Sequence, residues 1–159
     1  MKLLCIDPGQ NESAIVVLES RGGKVLRHEK SANDIILKTV AASGCDKLVI
    51  EMVQGYGRPV GEETFRTCVW IGRFIQAWVP RGFVEVKRGR VKEVLCESTK
   101  GVNDAVIRQR LIDIYGPGKE KAIGLKKTPG PLYGVKADEW QALAVGVAYL
   151  KSEKLVFFV

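Results

Sequence analysis

Three acidic residues stand at positions where a carboxylate could do chemistry. Asp7 ends the apolar run of residues 3–6, and Glu51 ends the run of residues 48–50. Asp138 opens a segment whose apolar residues recur at helical spacing. A charged side chain is costly inside a sheet unless something neutralises it. An acid at the end of a strand can instead point outward and hold a metal ion or a proton.

Each acid alone also has a structural explanation. Asp is common in a turn before Pro-Gly, which is the setting of Asp7. Glu51 could be a strand-end acid paired with Lys47 or Arg58, and Asp138 could be favoured by the dipole at a helix start. What matters is therefore whether the fold brings the three acids together.

Apolar patterns predict elements that would bring the first two acids to one place. The first part of the chain is predicted to form three antiparallel strands, at residues 2–7, 13–19 and 24–30. A helix over residues 33–44, which begins at Asn33-Asp34, and a further strand over residues 47–51 follow. A strand that follows a helix favours parallel pairing with the first strand. Asp7 and Glu51 would then lie at the same end of neighbouring strands.

The second part of the chain is predicted to be mostly helical. Helices are predicted over residues 62–79, 91–96, 102–115 and 136–151, and a strand over residues 82–86. Residues 54–61 are predicted to form a loop, and residues 117–135 a mobile loop. No internal repeat or domain boundary is visible, so residues 1–159 are expected to form one α/β domain. The last helix would place Asp138 across the edge of the sheet where the other acids lie.

Two further segments carry many apolar residues. The helix over 62–79 has too much aromatic surface for one narrow face, which is typical of a core helix, although part of it could be a dimer surface. The tail over 155–159 is apolar and β-prone. We expect that tail to pack on the domain or on a partner, because an exposed apolar, β-prone segment tends to aggregate.

Composition points to a soluble protein with a polyanionic partner. The chain has 25 Lys and Arg against 18 Asp and Glu, a net charge of +7, and few acids dilute the basic residues of segment 81–127. Such a balance favours a polyanion, usually nucleic acid or an anionic membrane. No apolar run approaches the roughly 20 residues of a membrane helix, and the apolar run near the N-terminus is too short for a signal peptide. The four cysteines lack metal-site spacing, so we expect free thiols and a cytoplasmic protein.

A cluster of three carboxylates is unfavourable unless a divalent cation neutralises it. Mg²⁺ prefers oxygen ligands and keeps several waters and substrate phosphate oxygens in its shell. Two such ions about 4 Å apart can activate a water and stabilise the leaving oxygen in phosphodiester hydrolysis. Surrounding basic residues would hold the phosphate backbone.

Three motifs in this order and spacing resemble the acidic motifs of RuvC-type Holliday junction resolvases: Ile6-Asp7-Pro8-Gly9, Val49-Ile50-Glu51, and Lys136-Ala137-Asp138 with Ala142-Leu143-Ala144. The resemblance covers nearly the whole chain. The Gly-Pro-Leu-Tyr-Gly-Val run at residues 130–135 is similar to phage and prophage members of that group.

The resemblance implies an RNase H-like fold with a central five-stranded mixed sheet flanked by helices. It also implies a homodimer that places two active sites on a four-way DNA junction. Each site would cut one strand with two Mg²⁺ or Mn²⁺ ions, leaving a 5′-phosphate and a 3′-hydroxyl. By motif position, Asp7 would bridge two metal ions, Glu51 would bind one of them and Asp138 the other.

Departures from the family pattern concern the metal site first. Gln141 stands where the family usually has a fourth acid, and a glutamine ligates through its carbonyl oxygen without bringing charge. Glu139 could help, although one residue's offset points it about 100° away on a helix. The family often has glycine at the position of Ala14, and the aromatic that closely follows the second acid in bacterial enzymes is absent.

Candidate DNA contacts lie in two segments. Tyr56 or Arg58 could act as a wedge at the junction centre, and a basic segment follows the strand over 82–86 with Lys87, Arg88, Arg90 and Lys92. That basic segment is also explained as a solvated face. Asp104 reads as a first-turn helix acid and is left out of the catalytic set.

Three functions remain open at this point. The first is a metal-dependent endonuclease that resolves branched DNA. The second, which Gln141 keeps open, is a weak or inactive relative that binds structured nucleic acid without cutting it. The third is an RNase H-like nuclease with another substrate, such as RNA or a replication-fork flap.

Overall fold

The computed structural model describes residues 1–155, so the expected packing of the apolar tail falls largely outside the described residues. Its centre is a mixed five-stranded sheet in the order β3-β2-β1-β4-β5. The strands are β1 (Lys2–Asp7), β2 (Glu12–Glu19), β3 (Val25–Ala32), β4 (Lys47–Met52) and β5 (Phe83–Lys87). The first three form the predicted antiparallel meander, and β4 pairs in parallel with both β1 and β5.

Helices cover both faces of this sheet. They are α1 (Asn33–Ala41), α2 (Glu62–Trp78), α3 (Arg88–Cys96), α4 (Asp104–Tyr115), α5 (Lys119–Ala122) and α6 (Glu139–Ser152). Successive strand residues point to opposite faces. Leu4 and Ile6 therefore join a core with α1 and α2, while Leu3 and Cys5 join a core with α3, α4 and α6. Burial on both faces explains why the strands read as continuous apolar runs.

Helix α6 is embedded against β1 and β2 over nearly its whole length. A side chain at Gly146 would overlap Cys5 and Leu18, so the glycine allows the helix to approach the sheet closely. The start of α6 is thereby held above the end of β1 that carries Asp7.

Segment 117–135, predicted to be a mobile loop, is folded. It contains α5 and a small hairpin of β6 (Gly124–Leu125) and β7 (Thr128–Pro129). Leu132 N–H donates to the Ala122 carbonyl at 2.8 Å, and Leu132 and Ala122 are both buried. Gly124 has a φ of 70° and no room for a side chain. The glycines and prolines that suggested mobility therefore shape tight turns.

Two helix starts also differ from prediction. Helix α3 begins at Arg88, so the predicted basic turn is already helical. Helix α6 begins at Glu139, and Asp138 is its N-cap residue. The cysteines are free thiols as predicted, with Cys5 and Cys45 buried. Among the helices of residues 1–155, none combines the length and apolar character needed to cross a membrane.

Candidate active site

Asp7 and Glu51 lie side by side where β1 and β4 end. Ile6 pairs with Ile50 in the parallel ladder, so the following residues are neighbours. They project toward α6, because Cys5 and Val49, two residues earlier, belong to the core on that face. Burial, together with the negative charges of Glu51 and Asp138, raises the pKa of Asp7 to about 8. Burial also raises the pKa of Glu51.

The loop after Asp7 is fixed by a closed set of hydrogen bonds. Gly9 N–H donates to Ser13 Oγ at 3.1 Å, Ser13 Oγ–H donates to Asn33 Oδ1 at 2.6 Å, and Asn33 Nδ2 donates to the Gly9 carbonyl at 2.9 Å. Ser13 and Asn33 are buried. Asn33 starts α1 as predicted, but its side chain holds the loop beside Asp7 and makes no helix cap.

Arg88 lies inside the site beside Glu51. Its Nη1 is 3.3 Å from Glu51 Oε2, and its Nη2 forms a short ion pair with Asp104 Oδ1. Arg88 and Glu51 are only 20% and 17% exposed. The guanidinium lowers the pKa of Glu51 and partly opposes the effect of burial. Arg88 was predicted as a DNA contact on a basic surface, and Asp104 was left out of the site, yet the structure links both to Glu51.

Asp138 occupies the N-cap position of α6, but its side chain makes no capping hydrogen bond and is 54% exposed. Its Oδ2 is 2.7 Å from Lys30 Nζ, and the same ammonium is 3.6 Å from Glu12 Oε2. The hydrogen bond to Asp138 is the main cause that raises the pKa of Lys30. Lys30 belongs to β3, and the sequence alone gave no reason to place it near Asp138.

Gln141 and Glu139 differ in their surroundings. Gln141 Oε1 is buried, and it is the one buried side-chain polar atom in the described range 1–155 without a hydrogen-bond partner. Glu139 Oε2 is 2.8 Å from His28 Nδ1 and accepts from Lys136 N–H at 2.9 Å. Glu139 therefore secures the start of α6 to β3. An unsatisfied buried oxygen is costly, and a hard cation is one partner that would satisfy Gln141.

The donor set suits a divalent cation such as Mg²⁺, since it consists of carboxylate oxygens and one unpaired amide oxygen. However, no three Asp, Glu, His or Cys side chains within residues 1–155 are grouped closely enough to hold an ion. Arg88 pairs with Glu51 and Lys30 pairs with Asp138, so each of these two acids already has a positively charged partner. A metal ion bound by both acids would have to compete with these two side chains.

The remaining candidate DNA contacts are placed around the same end of the sheet. Tyr56 and Arg58 are exposed in the loop between β4 and α2, and Lys87 ends β5. Arg90 pairs with Glu93 at 3.4 Å on α3. Lys92, one helical turn from Arg88, is near enough to lower the pKa of Glu51.

Gln54 ties the loop after β4 to the start of α3. Its Oε1 accepts from Gly89 N–H and from Tyr56 Oη–H, each at 3.3 Å. The loop that carries Tyr56 and Arg58 is thus anchored beside Arg88.

Comparison with known proteins identifies the fold. Neither a family model nor a curated protein sequence matches this chain. Thermus thermophilus RuvC in complex with a Holliday junction substrate has a TM-score of 0.68 at 16% identity over 98% of this chain and 96% of that chain. A second Thermus thermophilus RuvC structure has a TM-score of 0.65 at 15% identity over the same shares.

A viral protein shares this likeness. The Fowlpox virus resolvase in complex with Holliday junction DNA has a TM-score of 0.56 at 15% identity, over 96% of this chain and 99% of that chain. At these identities the likeness concerns the fold. The mixed five-stranded sheet flanked by helices is RuvC-like and RNase H-like, as the acidic motifs predicted.

Proposed function

We propose that this protein is a divalent-metal-dependent endonuclease that resolves four-way or otherwise branched DNA. The observation that carries the proposal is the pairing of Asp7 with Glu51 at the ends of parallel strands, with the helix start at Asp138 above them. The RuvC-like fold supports it, since two of the similar structures hold Holliday junction DNA. The basic charge of the chain suits the same partner.

Asp7, Glu51, Asp138 and Gln141 would hold Mg²⁺ or Mn²⁺. The metal would supply the charge that activates a water and stabilises the leaving oxygen of the cut strand. The chain itself keeps the carboxylates in place through the hydrogen bonds around Asn33 and through the embedding of α6. Arg88 and Lys30 neutralise the acids before a metal binds and are then positioned to face phosphates.

The direct test is cleavage of a synthetic four-way junction by the purified protein in Mg²⁺ or Mn²⁺, with a linear duplex of the same sequence as the control. Symmetric cuts in the junction strands, and little cutting of the duplex, are expected. Equal cutting of both substrates would instead favour a nuclease with another natural substrate.

A second candidate function is binding of structured nucleic acid without cleavage. Gln141 favours it, because an amide in place of a fourth acid brings no charge to the metal site. Tight junction binding in both metals with no cut strand would establish this function in place of the first.

Gln141→Asp is expected to strengthen metal binding. The substitution puts a charge where an unpaired buried oxygen now lies, so the affinity for Mg²⁺ should rise about fivefold to tenfold, a gain of about 1 kcal/mol. Calorimetric titration with Mg²⁺, together with the Mg²⁺ dependence of cleavage, measures the change. Identical titrations of the two proteins would mean that position 141 is outside the site.

We further propose that the protein acts as a homodimer through α2. Ile71, Phe74 and Trp78 of this helix are buried, in line with the predicted core helix, but Phe65 and Val69 are each 62% exposed. These two residues lie one turn apart on the outer face. Such apolar exposure next to a buried face is typical of an interaction surface.

Phe65→Glu is therefore expected to shift the protein from dimer to monomer. A charge in the centre of an apolar contact is unfavourable on both copies, so light scattering at about 10 µM should report half the mass. Leu125→Glu is the matched control, because Leu125 is 73% exposed on the distant hairpin and receives the same charge. Two proteins with the same unchanged mass would contradict the assignment of α2.

A further inference from the structure

Arg88 holds two carboxylates at once. Its guanidinium reaches Glu51 through Nη1 and Asp104 through Nη2, which the planar fork of an arginine permits. The Glu51 contact of 3.3 Å is at the long end of the range for a hydrogen bond.

The position of Asp104 in the first turn of α4 suits the helix dipole, but that role does not require its pairing with Arg88. It occupies the first turn of α4, but Asn103 caps that helix by accepting from Val106 N–H at 3.1 Å. Asp104 is 72% exposed and pairs with Arg88 across from α3. Its carboxylate is therefore available to hold the arginine from the outer side of the site.

A cation that binds Glu51 competes with Arg88 for the same carboxylate. Glu51 is 17% exposed, and Arg88 already lies 3.3 Å from its Oε2. Removing an arginine from its only partner would leave a poorly solvated charge unpaired. Asp104 makes the displacement of Arg88 from Glu51 less unfavourable, because the guanidinium remains paired with the Asp104 carboxylate.

We propose that Asp104 is a positioning residue of the metal site, which retains Arg88 and thereby frees Glu51 for the cation. This inference rests on the proposed metal-dependent function and assigns Asp104 a role through Arg88, without contact with the metal. Arg88 is the built-in competitor of the metal, and Asp104 weakens that competition.

The proposal predicts opposite effects for the two residues on metal binding in the absence of DNA. Arg88→Gln removes the competitor, so the affinity for Mn²⁺ measured by calorimetry should rise about fivefold. Asp104→Asn leaves Arg88 on Glu51, so the affinity should fall about fivefold. Asp104→Glu keeps a carboxylate within reach of the guanidinium and should restore most of the wild-type affinity.

The double variant decides between this role and a direct one. With Arg88→Gln present, Asp104→Asn should change the Mn²⁺ affinity less than about twofold, because no arginine remains to be held. An equal fall in both backgrounds would mean that Asp104 acts by its own charge or as a ligand, and would overturn the proposal. Arg27→Gln is the control, since it removes one arginine from an exposed pair with Glu29 on β3.

The outcomes separate this inference from the proposed function. If the wild-type protein binds no Mn²⁺, the metal-dependent function fails and this inference fails with it. If Mn²⁺ binds but Arg88→Gln leaves the affinity unchanged, only the role of Arg88 and Asp104 is refuted. Thermal unfolding of each variant in chelator verifies that the protein is folded.

Discussion

Asp7→Asn is expected to abolish junction cleavage, with a fall in rate of about a thousandfold or more. The charges of both Glu51 and Asp138 raise the pKa of Asp7, so Asp7 lies close to the other two candidate ligands. Asparagine keeps the shape of the side chain but loses the charge that a shared metal ligand must supply. Single-turnover cleavage of a labelled four-way junction in saturating Mg²⁺ measures the loss.

Junction binding should survive this change. One negative charge fewer near the phosphates leaves binding equal or slightly tighter, within about threefold, when fluorescence anisotropy is measured in chelator. Asp113→Asn provides a matched control, since Asp113 is exposed near the other end of α4 and bonds Gln109. Cleavage by Asp7→Asn at more than a tenth of the wild-type rate would exclude Asp7 as the central ligand.

The same substitution is expected to stabilise the metal-free protein at high pH. The folded-state pKa of Asp7 is raised to about 8, mainly by burial, and an unfolded Asp titrates near 3.9. A raised pKa means that the protonated carboxyl favours the fold. The stability that the protonated carboxyl contributes is fully present below about pH 4 and is lost as the pH rises through 8. The free energy of unfolding of Asp7→Asn should not show this loss.

Urea denaturation in chelator measures this difference. At pH 9 the free energy of unfolding of Asp7→Asn should exceed that of the wild type by on the order of a few kcal/mol, and near pH 4 the two should nearly agree. Added Mn²⁺ at pH 8 should reduce the difference in the free energy of unfolding between the two proteins, because the ion stabilises only the wild type, which retains the Asp7 carboxylate. Parallel pH profiles for the two proteins would contradict a strongly raised pKa for Asp7.

Together, these two expected outcomes mean that Asp7 lowers the stability of the metal-free fold and is needed for the proposed cleavage. The acids at the ends of β1 and β4 are unfavourable to the isolated fold, and burial is the largest cause. Active sites commonly carry such destabilising groups. Arg88 and Lys30 limit the effect by pairing with Glu51 and Asp138.

The sequence predicted the parts of the site that local patterns encode. Apolar runs that end in acids, with a helix between them, were enough to predict the parallel pairing that joins Asp7 and Glu51. The last helix followed from spacing, although the predicted start at residue 136 lies before the observed start at Glu139. The fold class followed from the order of these elements and from the family resemblance.

The neighbours of these acids could not be predicted, because they come from long-range contacts. Lys30 meets Asp138 only through the register of β3, and Asp104 meets Arg88 only through the docking of α4 beside α3. Glu139 bonds His28 across 111 positions of sequence. Segment 117–135 was misjudged because its elements are two to four residues long, too short to show a period.

Because α6 is embedded against the sheet, the candidate active site can form only after this helix has been synthesised. This helix follows the sheet in the sequence, yet it covers β1 and β2, and its start supplies Asp138 and Gln141 to acids on strands that are synthesised earlier. A nascent chain that has emerged only as far as α4 therefore carries Asp7 and Glu51 but neither Asp138 nor Gln141. The proposed nuclease cannot cut DNA before α6 has been synthesised and has packed on the sheet.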